Sequence, residues 1–514
     1  MSKFSRQTVC SHYQAKVDLY REMHFRGDPK FTSEYIFPNQ KEDAFIITDK
    51  FYKNPNLRAL SIVKRTKVGM DGLMIEIAKN MSTHPDDDFL MDYRNIFMIT
   101  GMSNIAWEKD MKEKIPECFV NNVYHHGKLK SKLLEKSLAE LKNGLIIVDE
   151  IDTGDKVCNE VYQILAQILD KHNLLDINNL KENNIRFVFV SATMEKQLNQ
   201  LKKWDEGVHE MYKMTIPDSY ISHGDLLKLN IIKEFYPIDS FEKADKWIKE
   251  DIISNYGNDY RIHIIRITQK HIQHLKDAAT ANNIQIRDFN SKDNIEYEEL
   301  KDIFDSIHTT NKHIILIVKG FYRRATLIPN PWKIKIGAVH ENFTKSTDVN
   351  VQIQGLPGRM TGYWKETLLE GHKTGPYRTS IKAIQEYEKW FLDPEGYNGQ
   401  YRTNVHKDTF VNPKYITGIT RQDLPECKNK DKEYKIFETQ YQAINYVKEN
   451  LNIKLRKRNN DKAPEELRKN DRNPSYQELI ERFWGISSKN KVRMIPTDEN
   501  KWCVYWRPSL LNME

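Results

Sequence analysis

Between residues 35 and 390 the chain alternates short, near-continuous apolar runs with stretches of helical spacing. A strand buried on both faces reads as a continuous apolar run, and such strands belong to parallel sheets covered on both sides by crossover helices. The first set is Leu60-Ser-Ile-Val63, Ile96-Phe-Met-Ile99, Leu145-Ile-Ile-Val148 and Phe187-Val-Phe-Val190. The second is Ile262-His-Ile-Ile265, Ile314-Ile-Leu-Ile-Val318, Lys333-Ile-Lys-Ile-Gly-Ala338 and Val349-Asn-Val-Gln-Ile353, with helix-like stretches at 241–256 and 296–308. The pattern predicts an α/β chain with two parallel-sheet lobes in tandem, 35–220 and 221–395, hinged across the turn-rich segment from Ile216-Pro217-Asp218 to His223-Gly224.

A chain of 514 residues exceeds what one core accommodates, and 39% hydrophobic with 11% aromatic residues excludes wholesale disorder. No apolar run reaches the roughly 18 residues of a membrane span, and Met1-Ser-Lys-Phe-Ser-Arg6 lacks a signal-peptide core. The expectation is an intracellular, non-secreted protein with no membrane partner. Cys10, Cys118, Cys158, Cys427 and Cys503 show no paired spacing, so neither a zinc site nor a disulfide framework is indicated. The net charge of +7 is compatible with a polyanionic partner.

The flanks differ in character. Residues 1–34 form an N-terminal extension, 396–432 a loop-rich linker, and 433–514 a small α+β domain. In that domain Thr439 with Gln442, and Ser475 with Glu478, have capping-box spacing, while Val492–Ile495 and Trp502–Trp506 suggest a hairpin. The run Lys454-Leu-Arg-Lys-Arg458 is either a solvated face or, with Trp484, Trp502, Trp506 and Arg507, a surface on which single-stranded nucleic acid stacks. Under the second reading Lys454, Arg456 and Arg458 contact nucleic acid.

The strongest chemical feature is Leu145-Ile-Ile-Val-Asp-Glu-Ile-Asp152, an apolar strand that ends in paired carboxylates. Such a strand can deliver Asp149 to the Mg²⁺ of a bound nucleotide while Glu150 orients or deprotonates an attacking water. Ser191-Ala192-Thr193 follows the next buried strand. This order, strand and DExD and then strand and SAT, resembles motifs II and III of superfamily two helicases. The resemblance implies two RecA-like lobes, ATP and Mg²⁺ as cofactors, and a coupling role for Ser191, Ala192 and Thr193.

Further segments fit the same pattern. Gln354-Gly-Leu-Pro-Gly-Arg-Met-Thr-Gly-Tyr363 looks like motif VI, which makes Arg359 the candidate arginine finger and Gln354 a nucleotide contact. Phe37-Pro-Asn-Gln40 resembles the adenine-reading Gln motif, and Gly320 in Lys319-Gly-Phe-Tyr-Arg-Arg-Ala-Thr326 lies where motif V belongs. Nucleic-acid contacts are expected from Thr100, Gly101 and Ser103 ahead of Trp107, from His126 in Tyr124-His-His-Gly127, and from Thr268 in Arg266-Ile-Thr268. The wording of these motifs is similar to helicase-like proteins of large DNA viruses and phages, which favours DNA over RNA as partner and leaves RNA open; oligomeric state is left open too.

The phosphate loop departs from the family. In Lys64-Arg-Thr-Lys-Val-Gly-Met-Asp-Gly-Leu73, aligned on G-x-x-x-x-G-K-[ST], Lys64 stands at the first Gly, Met70 at the Lys and Asp71 at the hydroxyl residue. Thr66, Lys67, Gly69 and Gly72 remain to cradle phosphate, with Lys67 the first candidate for the missing charge. Motif VI also departs, since Gln354 precedes Arg359 by five positions and Gly362 replaces a second Arg. Two functions stay open: an ATP-driven helicase or translocase, and a nucleic-acid-binding protein of that fold with weakened or lost ATPase.

Overall fold

The computed structural model describes residues 36–100, 105–129, 131–152, 165, 168–169, 171–174, 176–290, 297–319, 328–403, 433–438, 440–450, 492–496 and 502–506. Gly101, Ser103, Gly320, Lys454, Arg456 and Arg458 lie outside the described residues, as do Thr439, Ser475, Trp484 and Arg507. The chain divides into two units, residues 1–411 and 412–514.

The first unit contains both α/β lobes. In the first lobe, strands β1 (Ala59–Val63), β2 (Ile96–Thr100), β3 (Val123–Tyr124), β4 (Gly144–Asp149), β5 (Ile185–Ser191) and β6 (His209–Lys213) form one sheet in the order β3-β2-β4-β5-β1-β6. Every pairing in it is parallel. The four expected apolar runs are β1, β2, β4 and β5, each buried along its whole length. The register matters for chemistry: Val63 lies opposite Ser191, and Asp149 opposite Val190, so the loops leaving β1, β5 and β4 emerge side by side. That edge, beyond the carboxyl ends of the strands, is where such sheets bind ligands.

Helix Pro38–Lys53 begins with Pro at its first turn, where a missing N–H costs nothing, and buries Ala44, Ile47 and Phe51. It packs against helix Met70–Ser82, whose Leu73, Met74 and Ile77 are core residues. β6, reading His-Glu-Met-Tyr-Lys, is half-buried throughout, as suits a sheet edge.

In the second lobe, β7 (Ile232–Glu234), β8 (Ile262–Ile265), β9 (Gln285–Asn290), β10 (Ile314–Lys319), β11 (Ile336–His340) and β12 (Tyr377–Thr379) form a sheet ordered β7-β12-β11-β8-β10-β9. All its pairings are parallel as well. Trp247, Ile265, Ile315 and Ala338 belong to its core. The tandem parallel-sheet architecture is therefore the one expected of paired RecA-like lobes.

Two strand assignments are corrected. The segment 333–338 begins as a helical turn, Asn330–Lys333, and the strand starts only at Ile336. Val349–Gln354 is helical: Asp348 caps it by accepting from Val351 N at 3.1 Å, and it buries Val349, Ile353 and Gln354 while leaving Val351 exposed. The β-branched alternation at 349, 351 and 353 imitates a strand, but a capped start decides for the helix. Within the segment expected to act as a hinge, Ser222 caps helix His223–Lys228 reciprocally with Asp225.

In the second unit, β13 (Glu433–Phe437), β14 (Val492–Pro496) and β15 (Trp502–Trp506) form an antiparallel sheet ordered β13-β15-β14. The expected hairpin is the β14–β15 pair. Helix Gln440–Asn450 accompanies it; Gln442 accepts from Glu438 N at 3.1 Å, and Ala443 and Val504 are fully buried. Among the described residues no helix is long and apolar enough to cross a membrane.

Candidate functional site

The site starts from the tip of β4. Asp149 and Glu150 are buried, and Glu150 adopts a left-handed backbone with φ of 50°, a conformation that costs energy for a residue with a Cβ and clusters at functional positions. Asp149 accepts from Glu150 N at 2.9 Å through one oxygen and from Trp107 Nε1 at 3.0 Å through the other. Burial pushes its carboxyl up to about 7, with the neighbouring Lys64 charge opposing the rise.

Glu150 is held from both lobes. Lys64 Nζ, from the loop after β1, lies 3.1 Å from Oε1, and Gln354 Nε2, from the second lobe, donates to Oε2 at 3.1 Å. Gln354 Nε2 also lies 3.3 Å from Thr193 Oγ1. Ser191 and Thr193 donate to the two oxygens of Asp152, each at 2.6 Å, with Ala192 fully buried between them. Asn350 reaches the same cluster from the second lobe, 3.4 Å from Asp152 Oδ2 and 3.3 Å from Thr193 O.

The loop from Lys64 to Gly69 turns through two left-handed residues, Lys67 and Gly69 with φ of 57° and 84°. Gly69 suits that conformation, and a Cβ there would come within 2.5 Å of Gln40 Nε2, so the end of that side chain would have to shift. The Gln40 amide is engaged within the protein: it accepts from Phe37 N at 2.8 Å and donates to Gly69 O. Met70 packs in the first lobe's core, Gly72 is buried in the helix that follows, and Asp71 is bridged by Lys114 at 2.9 Å. Lys67 is half-buried, and desolvation with the Arg359 and Lys64 charges drives its ammonium well below the usual lysine range.

The second lobe clasps this loop. Thr361 Oγ1 lies 2.9 Å from Thr66 Oγ1, Tyr363 donates to Val68 O at 2.7 Å, and Tyr220, between the lobes, donates to Thr66 O. Ile221 and Gly362 exchange backbone hydrogen bonds at 2.8 and 3.1 Å. Arg359 is fully buried, with NH2 donating to Gln354 O at 2.8 Å. The turn that carries it is fastened by Glu341, which accepts from Leu356 N at 2.8 Å and from Arg266 NH1 through both oxygens. Lys333 donates to Thr361 O at 2.7 Å, and burial pushes its ammonium down to about 7.

The structure thus brings Asp149, Glu150, Ser191, Thr193, Thr66, Lys67, Gln354 and Arg359 together at the interlobe seam. It keeps Thr100, expected to contact nucleic acid, away from the surface: it is fully buried and donates to Asp149 O at 3.2 Å. Thr268 is exposed after β8, and His126 is half-buried in a helical turn. Residues without a sequence-based role include Lys64, Asp152, Asn350 and Glu341. Asp152 had a signal in the DExD spacing; Asn350 was hidden by the strand reading of its segment. Among the described residues no group of three or more His, Cys, Asp or Glu is placed to hold a metal ion.

No protein-family model matches the chain, and no curated protein matches it in sequence. It is similar in structure to S. cerevisiae Dbp5 bound to RNA and ADP BeF3, at TM-score 0.37 and 10% identity, covering 70% of this chain and 92% of that one. S. tokodaii Xpd4 is similar at TM-score 0.37 and 9% identity, with 71% and 99% covered. The yeast DEAD-box splicing factor Prp28 is similar at TM-score 0.22 and 15% identity, with 72% and 73% covered. These similarities concern the fold alone.

Proposed function

We propose that the chain is an ATP-dependent nucleic-acid helicase or translocase whose nucleotide binds between its two α/β lobes. The observation that carries this reading is the meeting of the β4 carboxylates with the second lobe, Gln354 donating to Glu150 at 3.1 Å. A strand tip bearing an acid and a base, faced across a seam by a Gly-rich turn with a buried arginine, is suited to phosphoryl transfer to water.

Glu150 takes the proton of the attacking water or orients it, and Arg359 neutralises charge developing on the transferred phosphoryl group. Asp149 would hold a nucleotide-borne Mg²⁺, which when bound offsets phosphate charge; one buried carboxylate suffices because such a cation keeps phosphate and water ligands. The fit rests on the donor set: the two oxygens of the buried Asp149 carboxylate accept from Glu150 N and Trp107 Nε1, and each keeps a further lone pair for a cation. Asp152, shared by Ser191 and Thr193 and approached by Asn350, links the carboxylate strand to the second lobe, so that a change at the nucleotide alters the lobes' grip on a strand.

The finer reading, kinship with helicase-like proteins of large DNA viruses and phages and preference for DNA, rests on motif wording alone. Phosphate release with Mg²⁺ and ATP, measured without nucleic acid, with single-stranded DNA and with single-stranded RNA, tests both levels. Stimulated turnover is expected, stronger with DNA. Nucleic-acid binding without turnover would favour the non-hydrolysing protein, in keeping with Met70 and Asp71 in the loop, and absence of both would refute the proposal.

A further inference from the structure

We infer that Lys64, standing where the family pattern has its first glycine, is the phosphate-binding cation of this seam, and that Glu150 is its counter-ion until nucleotide arrives. The inference rests on the reading of the seam as a nucleotide site. Lys64 is the first residue beyond β1, opposite the turn that follows Ser191, and its Nζ lies 3.1 Å from Glu150 Oε1 with the side chain 8% exposed. No glycine is required at its position because the loop makes its left-handed turns at Lys67 and Gly69.

The other basic groups around the loop are committed elsewhere. Arg65 pairs with Glu388 of the second lobe, Lys114 bridges Asp71 and Asp110, and Lys333 donates to Thr361 O and Asn330 Oδ1. Desolvation, with the like charges of Arg359 and Lys64, opposes protonation of Lys67 against the pull of the Glu150 and Asp71 charges, and Met70 is in the core. Lys64 has its ammonium on the carboxylate that the reaction needs.

An ammonium is a compact charge on a flexible stem, able to exchange one anionic partner for another with little change of backbone. A triphosphate carries more negative charge than a single carboxylate, so it draws Lys64 away from Glu150. The exchange has a chemical consequence: Glu150 is neutralised by Lys64 in the resting protein and becomes available to water only once phosphate has taken its partner. Nucleotide binding and base release are then one event.

Calorimetric titration of Mg-ATP into the full chain tests this with four variants. Glu150→Gln is expected to bind ATP more tightly than wild type, because Lys64 no longer has a carboxylate to leave. Lys64→Met should lose about ten- to a hundredfold in affinity, the worth of one charge-assisted contact. The double variant Lys64→Met/Glu150→Gln retains a neutral pair and so guards against misfolding; it should abolish the gain of Glu150→Gln and bind as weakly as Lys64→Met. A double variant that binds as tightly as Glu150→Gln, or a larger loss for Lys67→Met than for Lys64→Met, overturns the inference while leaving the nucleotide site standing. If neither wild type nor Glu150→Gln binds Mg-ATP, the site reading itself fails and the inference with it.

Discussion

The guanidinium of Arg65, in the loop that leaves β1, holds the carboxylate of Glu388 on helix Ile381–Leu392 through both terminal nitrogens, NH2 donating at 2.7 Å. The same guanidinium lies 3.7 Å from the centre of the Phe391 ring. A loop of the first lobe is thereby fixed to a helix of the second by charge and by ring contact together.

Because the pair is largely buried, at 9% and 18% side-chain exposure, Arg65→Ala should cost about 3 kcal/mol or more by stranding the Glu388 carboxylate. Urea unfolding measures this, and Arg65→Met/Glu388→Gln should recover part of the loss. Additive single effects would show that the two side chains do not act as a unit.

Ser191 and Thr193 share Asp152 at 2.6 Å each, and Asn350 of the second lobe approaches the same carboxylate. Ser191→Ala/Thr193→Ala is therefore expected to lower nucleic-acid-stimulated turnover more than basal turnover, bringing their ratio toward one. A ratio equal to that of wild type would separate this cluster from coupling.

Acid should destabilise the protein in a defined window. Burial holds His209, His223 and His340 down at about 3, and depresses His263 and His313 from 6.5. Ala338 N donates to His263 Nδ1 at 2.9 Å, so His263 carries its proton on Nε2, 3.1 Å from His313 Nδ1, and His313 Nε2 donates to Gly257 O at 3.0 Å. A folded value below the unfolded one gives stability that is complete above 6.5 and lost as pH falls toward the folded value. Asp149 acts oppositely, its contribution being full below 3.8 and lost as pH rises through about 7. With His172 and His372 also depressed, and burial also raising Glu195 and Asp251, seven histidines oppose three carboxyls, so the urea midpoint should drop on going from about pH 7.5 to about 5; a flat profile would contradict the neutral histidine chain.

Affinity for single-stranded nucleic acid should be largely indifferent to sequence and fall steeply with salt, since phosphate contacts by basic groups release counterions. Filter binding at several salt concentrations reads the slope. A slope near zero would remove backbone contact as the basis of binding.

How much of the fold and the site is legible in the sequence follows from burial. β1, β2, β4 and β5 are sandwiched on both faces and spell themselves as apolar runs, so the residue pattern alone sets Asp149, Glu150 and Ser191 at strand ends. β6 and β9 are sheet edges written in mixed polar residues, and β3, β7 and β12 span two or three residues, too few for a period to show. In the loop after β1 the glycines set the alignment, which puts Lys67 and Met70 forward and leaves Lys64 in a glycine's place. Which lysine reaches Glu150 depends on strand register and on the second lobe, neither of which is a local property of the sequence.

Under the proposed function, the seam between the lobes hydrolyses ATP with Glu150 as its base. The direct test is steady-state phosphate release by wild type and Glu150→Gln, with Mg²⁺, ATP and single-stranded nucleic acid, alongside ATP binding by both. The predicted result is turnover by wild type, loss of at least about a hundredfold in Glu150→Gln, and nucleotide binding retained in the variant. Equal turnover by the two proteins would contradict it.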